Sequence, residues 1–277
     1  MRPAHVVRHA AVYLQAHGVQ SPLPTAEVLL AHVLQTSRSG LYARGAGLSA
    51  TEARRFGRAL CRRCMGTPVQ HITGEQGFRR LNLSVRPGVF IPRPETEVLV
   101  GVALDAIAGA VSPVVIDVGT GTGAVGLAIA DEHAGARIWA TDRSPEAVAL
   151  ARANAERLGL AMTVVQGDLL WGVPEALRGR VDLVVSNPPY VTPQEYDALP
   201  DDVRADPPEA LLGGPQGYER LAAQAASWLR PGGTLALEIG QTQGPAVCAA
   251  AESCGFDGAK VVPELTGRDR VVLARRP

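Results

Sequence analysis

Lysine is almost missing from this 277-residue chain: Lys260 stands alone, and arginine carries the rest of the basic charge. Cysteine is scarce too. Of four cysteines, Cys61 and Cys64 form a single CxxC inside a helix-like run, and Cys248 and Cys254 supply no second pair. A zinc site needs two such pairs or histidines at ligand spacing. His5, His9, His17, His32 and His71 follow no such spacing, so free thiols and no metal are expected. No stretch approaches the ~18 consecutive apolar residues of a membrane span, and the first residues lack the charged-then-apolar order of a secretory signal. These absences point to a cytoplasmic protein without a membrane partner. There is no internal repeat and no low-complexity segment.

What is present is an ordinary globular composition, 46% apolar, in a chain long enough for one large α/β domain or two unequal ones. The net charge of zero conceals an asymmetry. Up to Arg80 there are eleven arginines against three glutamates, a balance of +8; the remaining 16 basic and 24 acidic residues give −8. A basic front part suits an anionic partner surface, or simply a solvated arginine-rich helix face.

Residues 1–73 show helical periodicity, with Val6, Val7, Ala10 and Leu14 on one face and Ala26, Leu29, Leu30, Val33 and Leu34 on another. A later helix is expected from a Ser49 cap to Met65, arginines outward. Over 74–91 the period becomes two, through Phe78, Leu81, Leu83, Val85, Val89 and Ile91, and a hairpin turning at Pro87-Gly88 is expected to join this bundle to the remainder, 92–277.

The remainder alternates buried strands and helices. Val114–Val118 runs into Asp117-Val118-Gly119-Thr120-Gly121-Thr122-Gly123, where glycines let the backbone turn tightly and approach a ligand at the following helix N-terminus. Gly121, Gly123 and Gly126 also fit GxGxxG, so a nicotinamide or flavin nucleotide competes as ligand. Strand Arg137–Thr141 ends at Asp142, placed for ribose hydroxyls; a strand near Met162–Gln166 leads to Asp168 and Leu169, where a carboxylate can receive an adenine amino group beside an apolar side chain. Asp117 suits either a ligand ammonium or the loop's own N–H groups. Asp142 and Asp168 also suit plain turns. Strand Val181–Val185 then delivers Ser186-Asn187-Pro188-Pro189-Tyr190. Two prolines cannot continue a sheet ladder, so the chain leaves at the strand's C-terminal end, where open α/β folds bind ligands. An Asn amide, proline carbonyls and one aromatic ring suit a flat NH₂ group.

Asn187-Pro188-Pro189-Tyr190 resembles the motif of methyltransferases that use S-adenosylmethionine to methylate planar nitrogens. Ile91-Pro92-Arg93-Pro94-Glu95-Thr96-Glu97 resembles the signature of the PrmC/HemK family, the protein-glutamine N5-methyltransferases that modify bacterial peptide chain release factors. The resemblance runs from the helical front part to the Gly267-Arg268-Asp269-Arg270 turn. It implies a Rossmann-like class I methyltransferase domain with a seven-stranded, mostly parallel sheet, behind a helical substrate-docking bundle. It implies S-adenosylmethionine held by Asp117, Val118, Gly119, Thr120, Gly121, Asp142, Asp168, Leu169 and Asn187. Asn187, Pro188 and Tyr190 would act in catalysis, and Pro189 with them in substrate binding. The implied substrate is the glutamine of the Gly-Gly-Gln loop of class I release factors, methylated by a monomer. Other readings are glutamine methylation of a ribosomal protein, N6-adenine methylation of DNA, and a nucleoside-binding regulatory module. DNA is disfavoured by the acidic balance after Arg80, and a non-catalytic module by the intact Asn187 and Tyr190. Arg93, Glu95, Glu97 and Glu238 receive no role from the sequence.

Overall fold

The computed structural model describes residues 2–277. Contacts divide the chain into two compact units, residues up to Glu75 together with Pro200–Ala205, and Gln76–Leu199 together with Asp206–Pro277.

The first unit is helical: α1 (Pro3–Ala16), α2 (Pro22–Val33), α3 (Arg38–Ala43), α4 (Ala50–Cys64) and α5 (Val69–Thr73). Val7, Ala10, Leu14, Ala26, Leu29, Leu30, Leu41, Phe56 and Ala59 meet in one apolar core, as their three-and-four spacing requires. Helix α4 starts with a full capping box, the Ser49 side chain accepting from Glu52 N–H while Glu52 reaches back to Ser49 N–H, an arrangement worth about 1 kcal/mol. Glu27, a buried acid, is satisfied by Arg38 and the Tyr42 hydroxyl. Arg63 of α4 meets Asp202 of the returning segment at 3.5 Å. All four cysteines are free thiols, and among the described residues no His, Cys, Asp and Glu cluster could hold a metal. No helix among them is long and apolar enough to cross a membrane.

The second unit opens with a two-stranded hairpin, β1 (Glu75–Phe78) and β2 (Leu81–Ser84). Its turn lies at Arg79-Arg80, not at the expected Pro87-Gly88. Arg79 adopts φ 49°, and the strain is offset by three acceptors: its N–H and guanidinium reach Glu97, and the guanidinium pairs with Glu132. Pro87-Gly88 turns the chain after β2 has ended.

There follow α6 (Thr96–Ile107), β3 (Val114–Val118), α7 (Ala124–Glu132), β4 (Arg137–Asp142), α8 (Pro145–Leu158), β5 (Met162–Gln166) and β6 (Val181–Ser186). Next come α9 (Pro193–Asp197), then α10 (Asp201–Arg204), which belongs to the first unit, and again in the second α11 (Pro208–Leu211), α12 (Pro215–Trp228), β7 (Leu229–Glu238), α13 (Gly244–Ser253), β8 (Asp257–Pro263) and β9 (Asp269–Arg275). The seven-stranded sheet has the order β5-β4-β3-β6-β7-β9-β8; its first five strands are parallel and β9 runs antiparallel to both neighbours. Every residue of β3 is buried. Val114, Ile116 and Val118 face one core, with α12 and α13, and Val115 faces the other, with α6 and α7. The period of two in side-chain direction makes one strand serve both cores. The strand that carries Glu238 begins at Leu229 and continues through Pro231-Gly232-Gly233, where its register against β6 shifts. The stretch 192–215 holds three short helices, the first opened by a Thr192–Glu195 capping box.

Candidate active site

Strand order reverses about β3: β4 and β5 lie on one side of it and β6 on the other, all running parallel. At such a switch point the loops leaving the strands' C-terminal ends diverge and leave a crevice. The loops after β3, β4 and β6 carry most of the residues singled out from the sequence.

The loop after β3 is tied down from below. Gly119 and Thr120 N–H both donate to the Thr141 carbonyl at 2.9 Å, and Gly121 N–H donates to Asp142 at 2.8 Å. Asp142 accepts from Ser144 N–H with its other oxygen at 2.9 Å. Gly121 has φ 56°, and a Cβ there would meet nothing within 4 Å. The residue is therefore glycine for its left-handed backbone, and the space above it is open, as a bound nucleoside-type cofactor requires. Gly126 is glycine for packing, since a Cβ would come within 2.8 Å of Met162 Sδ and 3.1 Å of Asp117.

Asp117 is buried beneath this loop. Its Oδ2 accepts from the Thr120 hydroxyl at 2.6 Å and Gly126 N–H at 3.0 Å. Burial nevertheless pushes its pKa up to about 6. Of the two roles open from the sequence, the geometry displays the loop-organising one. Val118 continues the ladder, and its carbonyl accepts from the Ser186 hydroxyl at 2.7 Å, joining β3 to β6 beside the site.

After β5, Leu169 takes φ 55°, rare for a residue with a Cβ, and its carbonyl is held by the Thr141 hydroxyl at 2.6 Å. Such strain persists where the surroundings over-determine it, as at ligand sites. Asp168 is exposed and pairs with Arg220 at 2.7 Å.

After β6, Asn187 through Tyr190 are half-buried. Asn187 Nδ2 donates to the Thr96 hydroxyl oxygen at 3.1 Å, while its Oδ1 engages no other described protein group. The Pro189–Val191 segment is strapped in place. Val191 N–H donates to Leu211, Gly213 N–H returns to Val191, and Gln243 donates to the Tyr190 carbonyl at 3.0 Å. A Cβ at Gly213 would collide with the Pro189 carbonyl. The Tyr190 hydroxyl lies 3.5 Å from Glu238, and burial raises its pKa well above the ordinary phenol value. Glu238, buried at the end of β7, is pushed up to about 7 by burial, against the lowering influence of the nearby Thr96 hydroxyl and the charge of Arg270.

Three structural contributors were not singled out as site residues from the sequence. Thr96 lies inside the Arg-Pro-Glu-Thr-Glu signature but reads there as a helix opener. Gln243 reads as a helix start. Asp206 is fully buried, pairs with Arg93 and accepts Ile91 N–H at 3.1 Å, so it fastens the return of the 192–215 stretch to the signature. No local pattern marks it, because its partners are 113 and 115 positions away.

Residues 5–74 match the PrmC N-terminal domain and residues 82–205 the methyltransferase small domain. The chain is 44% identical over 271 residues to the release factor glutamine methyltransferase of Moorella thermoacetica, covering 95% of this chain and 94% of that one. It is 39% identical to that of Deinococcus radiodurans, covering 100% and 99%. Among solved structures, the T. thermophilus 16S rRNA N2 G1207 methyltransferase, determined with AdoMet and guanosine, superposes with TM-score 0.54 at 19% identity, covering 73% of this chain and 50% of that one. At that identity the likeness speaks for the fold.

Proposed function

The chain belongs to the release factor glutamine methyltransferases, and from that premise we propose that Asn187 and Pro188 carry its chemistry, on the N5 amide of the Gly-Gly-Gln glutamine of class I release factors. The enzyme methylates a release factor glutamine with S-adenosylmethionine as donor. The donor supplies the methyl group from its sulfonium centre. The open face of Gly121, the Asp142 carboxylate and the strained Leu169 turn suit its nucleoside, and Asp117 holds the glycine loop that would receive it.

A primary amide nitrogen is a poor nucleophile because its lone pair is delocalised into the carbonyl. The useful help is to fix the nitrogen and favour positive charge on it as the new N–C bond forms. Asn187 Oδ1 and the Pro188 carbonyl are two acceptors for the two amide N–H groups, and both bonds strengthen as that charge develops. Pro189 and Tyr190 flank the planar group. The observation that carries this reading is the bond from Asn187 Nδ2 to Thr96, which leaves the amide oxygen for the substrate. Replacing Asn187 with Ala tests it: cofactor binding should persist and turnover fail.

The helical unit suits docking of the release factor. A cleft of about 570 Å³ on it is lined by His32, Arg55, Arg58 and Arg62 among others, and Arg55 and Arg58 form no ion pair within the described residues. An acidic protein surface fits there. A protein substrate rather than nucleic acid, action as a monomer, a cytoplasmic location and a division of labour at 1–73, 74–91 and 92–277 complete the reading.

A further inference from the structure

Gln243 stands just before α13, 53 positions from Tyr190, yet its half-buried side chain ends on the Asn-Pro-Pro-Tyr loop. Its Nε2 donates to the Tyr190 carbonyl at 3.0 Å. Its Oε1 accepts from Gly240 N–H at 3.0 Å and from the Tyr218 hydroxyl at 3.0 Å, the Glu238 carbonyl lying farther from that hydroxyl at 3.3 Å. A main-chain N–H only donates, a carbonyl only accepts, and an amide oxygen has two lone pairs. These partners therefore admit one orientation of the Gln243 amide. Gly240 leaves the room for it, since a Cβ there would come within 3.0 Å of Gln243 Cδ and Oε1. The backbone of Gln243 is anchored as well, its N–H donating to the Gly240 carbonyl and its own carbonyl accepting from Val247 N–H, both at 3.0 Å.

Resting on the roles given above to Asn187 and Pro188, we infer that Gln243 is a positioning residue for the methyl transfer: its amide pins the Tyr190 carbonyl and so holds the aim of the Pro188 carbonyl and Asn187 at the substrate nitrogen. Pro188 and Pro189 have no N–H to tie into a ladder, and their rings lock φ at both positions. Pro189 also restricts ψ of Pro188. The slack that is left lies at ψ of Pro189 and at Tyr190. Past Tyr190 the chain is fixed again, Val191 N–H donating to the Leu211 carbonyl at 2.9 Å and the Val191 carbonyl accepting from Gly213 N–H at 3.0 Å. Gln243 supplies the bond in between. Without it the Tyr190 peptide can rotate, and the acceptors upstream move with it; a misplacement of about 1 Å costs on the order of 100-fold in rate.

The test is labelled methyl transfer to a purified release factor from pH 6 to 9, with S-adenosylmethionine affinity and melting temperature measured in parallel. Gln243→Glu keeps the shape and the acceptor but sets an oxygen against the Tyr190 carbonyl. Gln243→Met keeps the length and removes both bonds. Each should lower kcat about 10–100-fold at pH 9, with KM for the release factor and cofactor affinity within about threefold of wild type. In Gln243→Glu the loss should shrink as pH falls, because a protonated carboxyl can again donate to Tyr190; Gln243→Met should show no such recovery. The titratable groups around this spot are the Tyr190 and Tyr218 hydroxyls, Glu95 before α6, Glu238 of β7, and Asp269 and Arg270 of β9. Each variant is therefore read as a ratio to wild type at the same pH. Wild-type kcat in both variants, with Asn187→Ala inactive, would overturn the role of Gln243 and leave that of Asn187 standing. So would a loss confined to KM or cofactor affinity, or one that follows melting temperature and ignores pH. An active Asn187→Ala would overturn both roles. Should Gln243→Met fail to fold, the pH profile of Gln243→Glu decides alone.

Discussion

Asn187 and Thr96, 91 positions apart, meet through a 3.1 Å hydrogen bond in which the amide nitrogen donates. That bond joins the signature that opens α6 to the motif that ends β6, and it leaves the Asn187 oxygen free for a substrate. Asn187→Ala removes an acceptor whose bond grows as charge appears on the attacking nitrogen. Turnover should fall by about 10²–10³, while the dissociation constant for S-adenosylmethionine, measured by calorimetry, changes by less than about threefold.

Glu238 makes stability depend on pH. Its folded pKa of about 7 lies above the ordinary 4.5, so between those values the folded state binds more protons than the unfolded one. Unfolding free energy therefore falls as pH rises through that window, by an amount on the order of 3 kcal/mol for this group. Asp117, raised to about 6, adds a loss of the same sign. Glu238→Gln should be more stable than the wild type at pH 8 in urea titrations, and the difference should close toward pH 5.

The Arg93–Asp206 pair is a structural fastening. Asp206 has no exposed side-chain surface and also satisfies Ile91 N–H. Asp206→Ala strands that N–H and a half-buried guanidinium, and should cost about 3 kcal/mol in chemical denaturation.

Gly121 is open above and left-handed below. Gly121→Ala should cost about 1 kcal/mol of stability from backbone strain. The added methyl projects into the space assigned to the cofactor, so affinity for S-adenosylmethionine should fall by about tenfold or more, or about 1.4 kcal/mol. Unchanged affinity by calorimetry would remove the loop from the cofactor site.

How much was legible in the sequence follows contact range. Val114–Val118 and Val181–Val185 read as strands because strands buried on both faces are continuous apolar runs, and the glycine loop and the Asn-Pro-Pro-Tyr exit declare themselves within a few residues. The Arg79-Arg80 turn was obscured by the stronger local signal of Pro87-Gly88, and it is held by Glu97 and Glu132, which lie 18 and 53 positions away. The Pro231-Gly232-Gly233 stretch reads as a turn, yet the sheet carries it as a register shift. Asp206 and Glu238 acquire their settings from residues distant in sequence, and no periodicity marks such residues beforehand.

The most direct measurement is mass spectrometry of a class I release factor after incubation with the enzyme and labelled S-adenosylmethionine, beside the same factor with the Gly-Gly-Gln glutamine replaced. One methyl group is expected on the side-chain nitrogen of that glutamine and none on the replaced factor. Label on another residue, or equal label on both factors, would contradict it.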